Sequence, residues 1–167
     1  MLIVEDGTGL ATAESFASVA FADTYHAKLG NDLWAAILPA RKEILMRRAT
    51  NYIQGIFATS FVGFAYSELQ ALAFPRVSYE VAYRNLFSLA VPRNVAEATA
   101  ELALIADTTE LLPNITRGKK RVKVGSLEVE YDGNGPTGTK FVAATLKLVP
   151  FLRSTALSSS QARLVRA

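Results

Sequence analysis

The chain has 167 residues, half of them hydrophobic and a fifth charged, with no cysteine and a formal net charge of +3. That length suits one domain with a real core, and the composition excludes an unfolded polyelectrolyte. The missing cysteine excludes a disulfide framework, a thiolate metal site and a thiol nucleophile. The opening Met1-Leu2-Ile3-Val4-Glu5-Asp6 lacks the basic flank and apolar stretch of a signal peptide, and no apolar run approaches the ~20 residues that span a bilayer. The expectation is synthesis in the cytoplasm with no membrane partner. A slightly positive mean hydropathy points to apolar surface covered by neighbouring subunits.

In chain order, residues 1–14 read as an extended arm broken by Gly7 and Gly9. Ser15 reads as the N-cap of a first helix over 16–29, stopped by Gly30 at a left-handed C′ position. Asp32 caps a short helical stretch over 33–37. Pro39 opens the next helix, 39–54, because proline suits the first helical position. There Ile44, Leu45, Ala49, Tyr52 and Ile53 form an apolar stripe, with Arg41, Lys42, Arg47 and Arg48 mainly outside it. Residues 56–90 are irregular and rich in aromatics, among them Phe57, Phe61, Phe64, Tyr66 and Phe74. Their uneven spacing, and the absence of any aromatic from 117–123, favour core packing over base stacking. Short helices are predicted at 67–72, halted before Pro75, and at 77–87. Pro92, Val95, Ala98, Leu102 and Ile105 recur at helical spacing up to Asp107, and a helical turn is predicted at 109–112.

The pattern then changes from helical to alternating. Val122 and Val124, then Gly125-Ser126, then Leu127, Val129 and Tyr131 interleaved with Glu128 and Glu130, predict a β-hairpin over 117–131 with a two-residue turn of type II′. Residues 132–138 read as a glycine-rich loop, 141–152 as a last helix bent at Pro150, and 153–167 as a loosely held tail.

Chemistry is hard to find in these residues. His26 is the only histidine; Ser15, Ser18 and Asp23 lie nearby in sequence, but no nucleophile elbow accompanies them, so His26 reads as structural or interfacial. One histidine without cysteine cannot make the usual zinc site, and the spacing of a calcium loop is absent. Gly138-Thr139-Lys140 has the wrong order for a phosphate loop. Glu97 and Glu101 read as a solvated helix face. No catalytic, cofactor or metal residue is assigned, and the expected role is assembly rather than catalysis. The run Arg117, Lys119, Lys120, Arg121 and Lys123 has two readings: contact with DNA phosphates, which is insensitive to sequence and sensitive to salt, or a strand end paired with Glu128 and Glu130 across the hairpin.

Gln70-Ala71-Leu72-Ala73-Phe74-Pro75-Arg76 resembles a Gln-x-Leu-x-Trp/Phe-Pro-Arg signature of head-tail connector (adaptor) proteins of tailed bacteriophages. Val91-Pro92 with Val95, Ala98, Ala100, Glu101, Leu102 and Ala103, the hairpin residues, and Val4-Glu5-Asp6-Gly7-Thr8-Gly9 with Ala20, Ala22, Asp23 and Tyr25 are similar to the same pattern. The resemblance spans about residues 3–152. It implies a mainly α fold, a small helical bundle with one protruding β-hairpin and extended N- and C-terminal arms, forming one domain over 1–152 with a tail over 153–167. It further implies a structural virion protein of the phage neck: a ring, twelve-fold, that joins the portal to tail or terminator proteins and surrounds packaged double-stranded DNA without sequence preference. A ring needs heterologous interfaces, and a two-stranded ribbon alone is marginal in water, so Val124, Leu127, Val129 and Tyr131 are the expected inter-subunit hairpin contacts. The same pattern is also similar to DnaT-like single-stranded-DNA-binding domains, which implies instead a role in replication.

Overall fold

Among the described residues five α-helices carry the structure: α1 (Val19–Leu29), α2 (Asp32–Ala35), α3 (Pro39–Phe57), α4 (Arg93–Ile105) and α5 (Val142–Leu148). The computed structural model describes residues 1–77, 79–81, 84–86, 90–113, 121–124, 127–130 and 141–153. Among them the fold is mainly α, as expected. α4 lies at the centre and packs against α1, α3 and α5. Its inward positions explain this: Val95, Ala96, Ala98, Ala100, Leu102 and Ala103 are buried, and small side chains let neighbouring helix backbones approach without leaving voids.

The helix ends follow local chemistry. α1 begins at Ser18, whose Oγ accepts the Phe21 N–H at 3.1 Å, three residues beyond the predicted cap. Ser15 is an equally good capping residue, but its backbone is committed elsewhere: it bridges Val4 in parallel, and its carbonyl accepts the Glu5 N–H. Gly30, at φ 69°, closes the helix; its N–H donates to Ala27 and that of Asn31 to His26, the paired bonds of a Schellman motif. Pro39 does open α3. Its buried face holds Leu45, Met46, Ala49, Tyr52 and Ile53, together with Lys42, whereas Ile44 is exposed.

The 61–90 region departs from prediction. Residues 67–72 form turns rather than a helix, because the Gln70 side chain supplies the bonds a helix would make: its Oε1 accepts the Ser67 N–H, and its Nε2 donates to the carbonyls of Leu72 and Pro75. The Phe74–Pro75 peptide is cis. The predicted helix at 77–87 is instead an antiparallel pair, β3 (Tyr79–Val81) with β4 (Arg84–Leu86); alternation suits strand pairing as readily as a short helical run, and length alone could not separate them. Before it, β1 (Phe64–Ala65) pairs with β2 (Arg76–Val77). Residues 109–112 form bends, with no helical turn. The Val142–Leu148 helix continues into a 3₁₀ turn, Val149–Phe151, around Pro150.

The expected N-terminal arm is folded back on the body. The buried carboxylate of Glu5 accepts the N–H groups of Gly7, Gly9 and Leu10, each at 2.9 Å, and the Leu10 carbonyl accepts the Ala71 N–H. Gly9 is required there: its φ is +76°, and a Cβ would lie 3.2 Å from Ser67 Cβ. Phe74, 1% exposed, is the hub of an aromatic cluster, meeting Phe16, Phe61 and Phe151 edge to face at centroid distances of 6.2, 4.9 and 6.2 Å. Truncation of that hub, Phe74→Ala, is expected to cost about 3–5 kcal/mol in denaturant unfolding, since a ring this enclosed leaves a cavity that cannot collapse.

Candidate nucleic-acid interface

The signature segment is built around one cation. Arg76, 9% exposed, donates from Nε to the Val62 carbonyl (2.7 Å), from Nη1 to Ala73 (3.2 Å), and from Nη2 to Phe61 (3.3 Å) and Gly63 (2.6 Å). Gln54 adds a reciprocal pair, accepting the Ala73 N–H and donating to the Ala71 carbonyl. These bonds satisfy a stretch of backbone that has little regular structure of its own. On the side away from the core this ribbon presents Phe64, 70% exposed, and Tyr66, 46% exposed. The core assignment therefore holds for Phe61 and Phe74 and fails for these two rings.

The second element is the hairpin. β5 (Arg121–Val124) pairs antiparallel with β6 (Leu127–Glu130), with Val124 opposite Leu127, as expected of a hairpin here. Arg121 stands opposite Glu130 and Lys123 opposite Glu128, while Val122 stands opposite Val129. Directly opposed positions share a face, so the register places the four charged positions on one face and the apolar positions Val122, Val124, Leu127 and Val129 on the other. Two of the five basic residues thus have an acidic position across the ladder. Arg117, Lys119, Lys120 and Tyr131, the turn Gly125-Ser126, the loop at 132–138 and the tail beyond Arg153 lie outside the described residues.

Charge is unevenly distributed along the chain. Residues 114–140 hold six Lys or Arg against three Asp or Glu, and residues 153–167 hold three arginines and no acid. The remainder, which includes every described helix, holds nine basic residues against twelve acidic ones. Most cations of the helical body are also engaged: Arg41 with Asp107, Lys42 with Asp23, Arg47 with Glu14, Arg48 with Glu110, and Arg93 and Lys147 both with Glu97. Glu97 and Glu101 are accordingly more than a solvated face. Burial alone would raise the Glu97 carboxyl, and the bonds from Lys147 and Arg93 outweigh it and hold it below the usual range; Glu101 accepts the Tyr25 hydroxyl at 2.6 Å, tying α1 to α4.

His26 is structural. It is fully buried, and Ala100 O can only accept, so Nε2 carries the proton and donates to it at 3.0 Å. Nδ1 is then the bare nitrogen and accepts from Asn31 Nδ2 at 3.0 Å. Trp34 packs on the ring at 4.9 Å and donates its indole N–H to Asp23, which also accepts from Lys42. With both nitrogens used and no solvent access, this imidazole cannot exchange protons with a substrate. Among the described residues no group of three His, Cys, Asp or Glu side chains could hold a metal ion.

Burial pushes the His26 pKa below its ordinary value, more than the Ala100 bond raises it. The neutral ring therefore contributes stability in full above about pH 6.5, the unfolded value, and that contribution is lost as pH falls through the depressed folded value. The melting temperature of the wild type is expected to fall between pH 7 and pH 5, and that of His26→Gln to change less over the same interval. Parallel profiles would remove His26 as the cause.

No helix among the described residues is long and apolar enough to cross a membrane. No curated protein and no solved structure matches the chain. A family model described as "Putative DnaT-like ssDNA binding protein" matches residues 1–167. That match covers the whole chain, signature, helices and hairpin alike, and the protein belongs to this family.

Proposed function

We propose that this protein is a non-catalytic DNA-binding protein that holds single-stranded DNA without reading its sequence. The observation that carries the reading is the segregation of charge: the helical body has more acid than base, while residues 114–140 and 153–167 contain the whole excess of cations. A polyanion is therefore repelled weakly by the body and attracted to the hairpin region, where Arg117, Lys119, Lys120, Arg121 and Lys123 can meet successive phosphates. The family description agrees with this reading, and the enclosed His26 supports a role without catalysis.

A second reading, the ring-forming connector of a phage neck, is favoured by a different observation. The hairpin is a two-stranded sheet with an apolar row on one face, and a groove of about 590 Å³ between α2 and the C-terminal end of α4 is lined by Leu33, Ile37, Leu38, Leu104 and Ile105. Apolar surfaces of unlike shape suit head-to-tail contact between copies. In this reading the chain resides in the virion and meets portal and tail proteins, and native mass measurement decides it: a protein that stays monomeric alone and with its cognate portal is no connector.

The primary reading predicts salt-sensitive binding of oligonucleotides by the purified protein. Replacing Lys119, Lys120 and Lys123 together by glutamine is expected to weaken binding and to flatten the slope of log affinity against log salt by about 2, at roughly 0.7 for each single-strand phosphate contact removed. A wild-type protein that binds no oligonucleotide at low salt would end this reading.

A further inference from the structure

We infer that Phe64 and Tyr66 form a base-stacking surface for single-stranded nucleic acid, separate from the basic hairpin. The inference rests on the DNA-binding reading and adds to it a site that charge alone would not reveal.

Among the residues whose side chains are described, the other aromatic rings are well covered. Phe16, Trp34, Tyr52, Phe61, Phe74, Phe141 and Phe151 are buried, and Phe21, Tyr25 and Phe57 are partly buried against the core. Phe64 and Tyr66 are the described rings left mostly or half in water. Phe64 lies in β1, which pairs with β2, and Tyr66 follows at a bend where its N–H donates to the Pro75 carbonyl at 3.3 Å. Base faces within a duplex are already covered by their neighbours, so rings that stack on bases must meet a strand whose bases are unstacked. The surface therefore selects single strands over duplex.

The ribbon beneath is held in advance of binding. Arg76 grips the carbonyls of Phe61, Val62 and Gly63, just before Phe64, and Gln70 takes the Ser67 N–H, just after Tyr66. An ideal Cβ at Gly9 would lie 3.4 Å from Tyr66 Cδ1, so the tyrosine ring rests against backbone. A platform fixed this way loses little entropy when a base settles on it.

Charge complementarity names the occupant. The Arg153 N–H donates to the Ser60 carbonyl at 2.8 Å, and the Val62 N–H to the Phe151 carbonyl, so Arg153 stands beside this ribbon. Arg153 is exposed and makes no ion pair with a described carboxylate. An aromatic face next to a cation is what sequence-tolerant single-strand binders use; an apolar protein partner would gain nothing from Arg153.

The test uses the full chain with fluorescent oligothymidylate and a duplex of equal length. Phe64→Ala with Tyr66→Ala is expected to weaken oligothymidylate binding by about tenfold per ring, to leave duplex binding unchanged and to leave the salt slope unchanged, whereas the lysine substitutions alter that slope. The bulk-preserving pair Phe64→Leu with Tyr66→Leu is expected to show the same loss, and it decides the question if the alanine pair does not fold. Wild-type affinity retained by the leucine pair overturns the inference, as does a change confined to self-association. In both cases the wild type still binds oligothymidylate, so the DNA-binding reading survives; a wild type that binds none ends that reading instead.

Discussion

Arg76 stands where two stretches of chain without helix, residues 61–63 and 73, bring four backbone carbonyls to one buried place. Carbonyls withdrawn from water without donors are costly, and a planar guanidinium with its fork of N–H groups is the side chain best suited to serve several at once. The neighbouring structure follows from that solution. Phe74, two residues earlier, is carried into the centre of the aromatic cluster, and the N-terminal segment closes over the outside through Glu5, Gly9 and Leu10. The C-terminal end joins from another side, where Leu152 bridges Phe61. Segments distant in sequence thus converge on one short signature, which accounts for its composition without any catalytic role.

The helices solve a different problem. α4 is rich in alanine because three helices must approach it, and such an interface gains little from side-chain interlocking alone. Polar ties supplement it: His26 to the Ala100 carbonyl, Tyr25 to Glu101, and Lys147 to Glu97. Each joins α4 to a neighbour in one geometry. Ion pairs engage most cations of the body, and the excess of positive charge falls in residues 114–140 and 153–167.

How far residues alone reveal this structure depends on where their partners lie. The Gly30 stop, the Pro39 start, the α4 periodicity and the antiparallel hairpin pairing were legible, because each depends on residues within a turn or two. The true start of α1 was not: Ser15 and Ser18 are equivalent as caps, and the choice was made by pairing with Val4 and Glu5. Nor was the turn conformation of 67–72, where a Gln70 side chain replaces the helical ladder, or the burial of Lys42, which depends on Asp23 from another helix. Phe64 and Tyr66 were indistinguishable from the core aromatics around them, since irregular spacing says nothing about which face of a ribbon meets water.

By itself, then, the amino-acid order determined the helical class, the position of the hairpin, the absence of thiol chemistry and the segregation of positive charge, all properties of composition or of near neighbours. Tertiary structure alone decided that the first residues fold onto the body, that His26 is sealed between Ala100 and Asn31, and that two rings face outward on a ribbon held by Arg76. The physical reason is the same in each case. Burial and hydrogen bonding between distant segments are settled only when the chain has closed on itself, and local preference is too weak to dictate them.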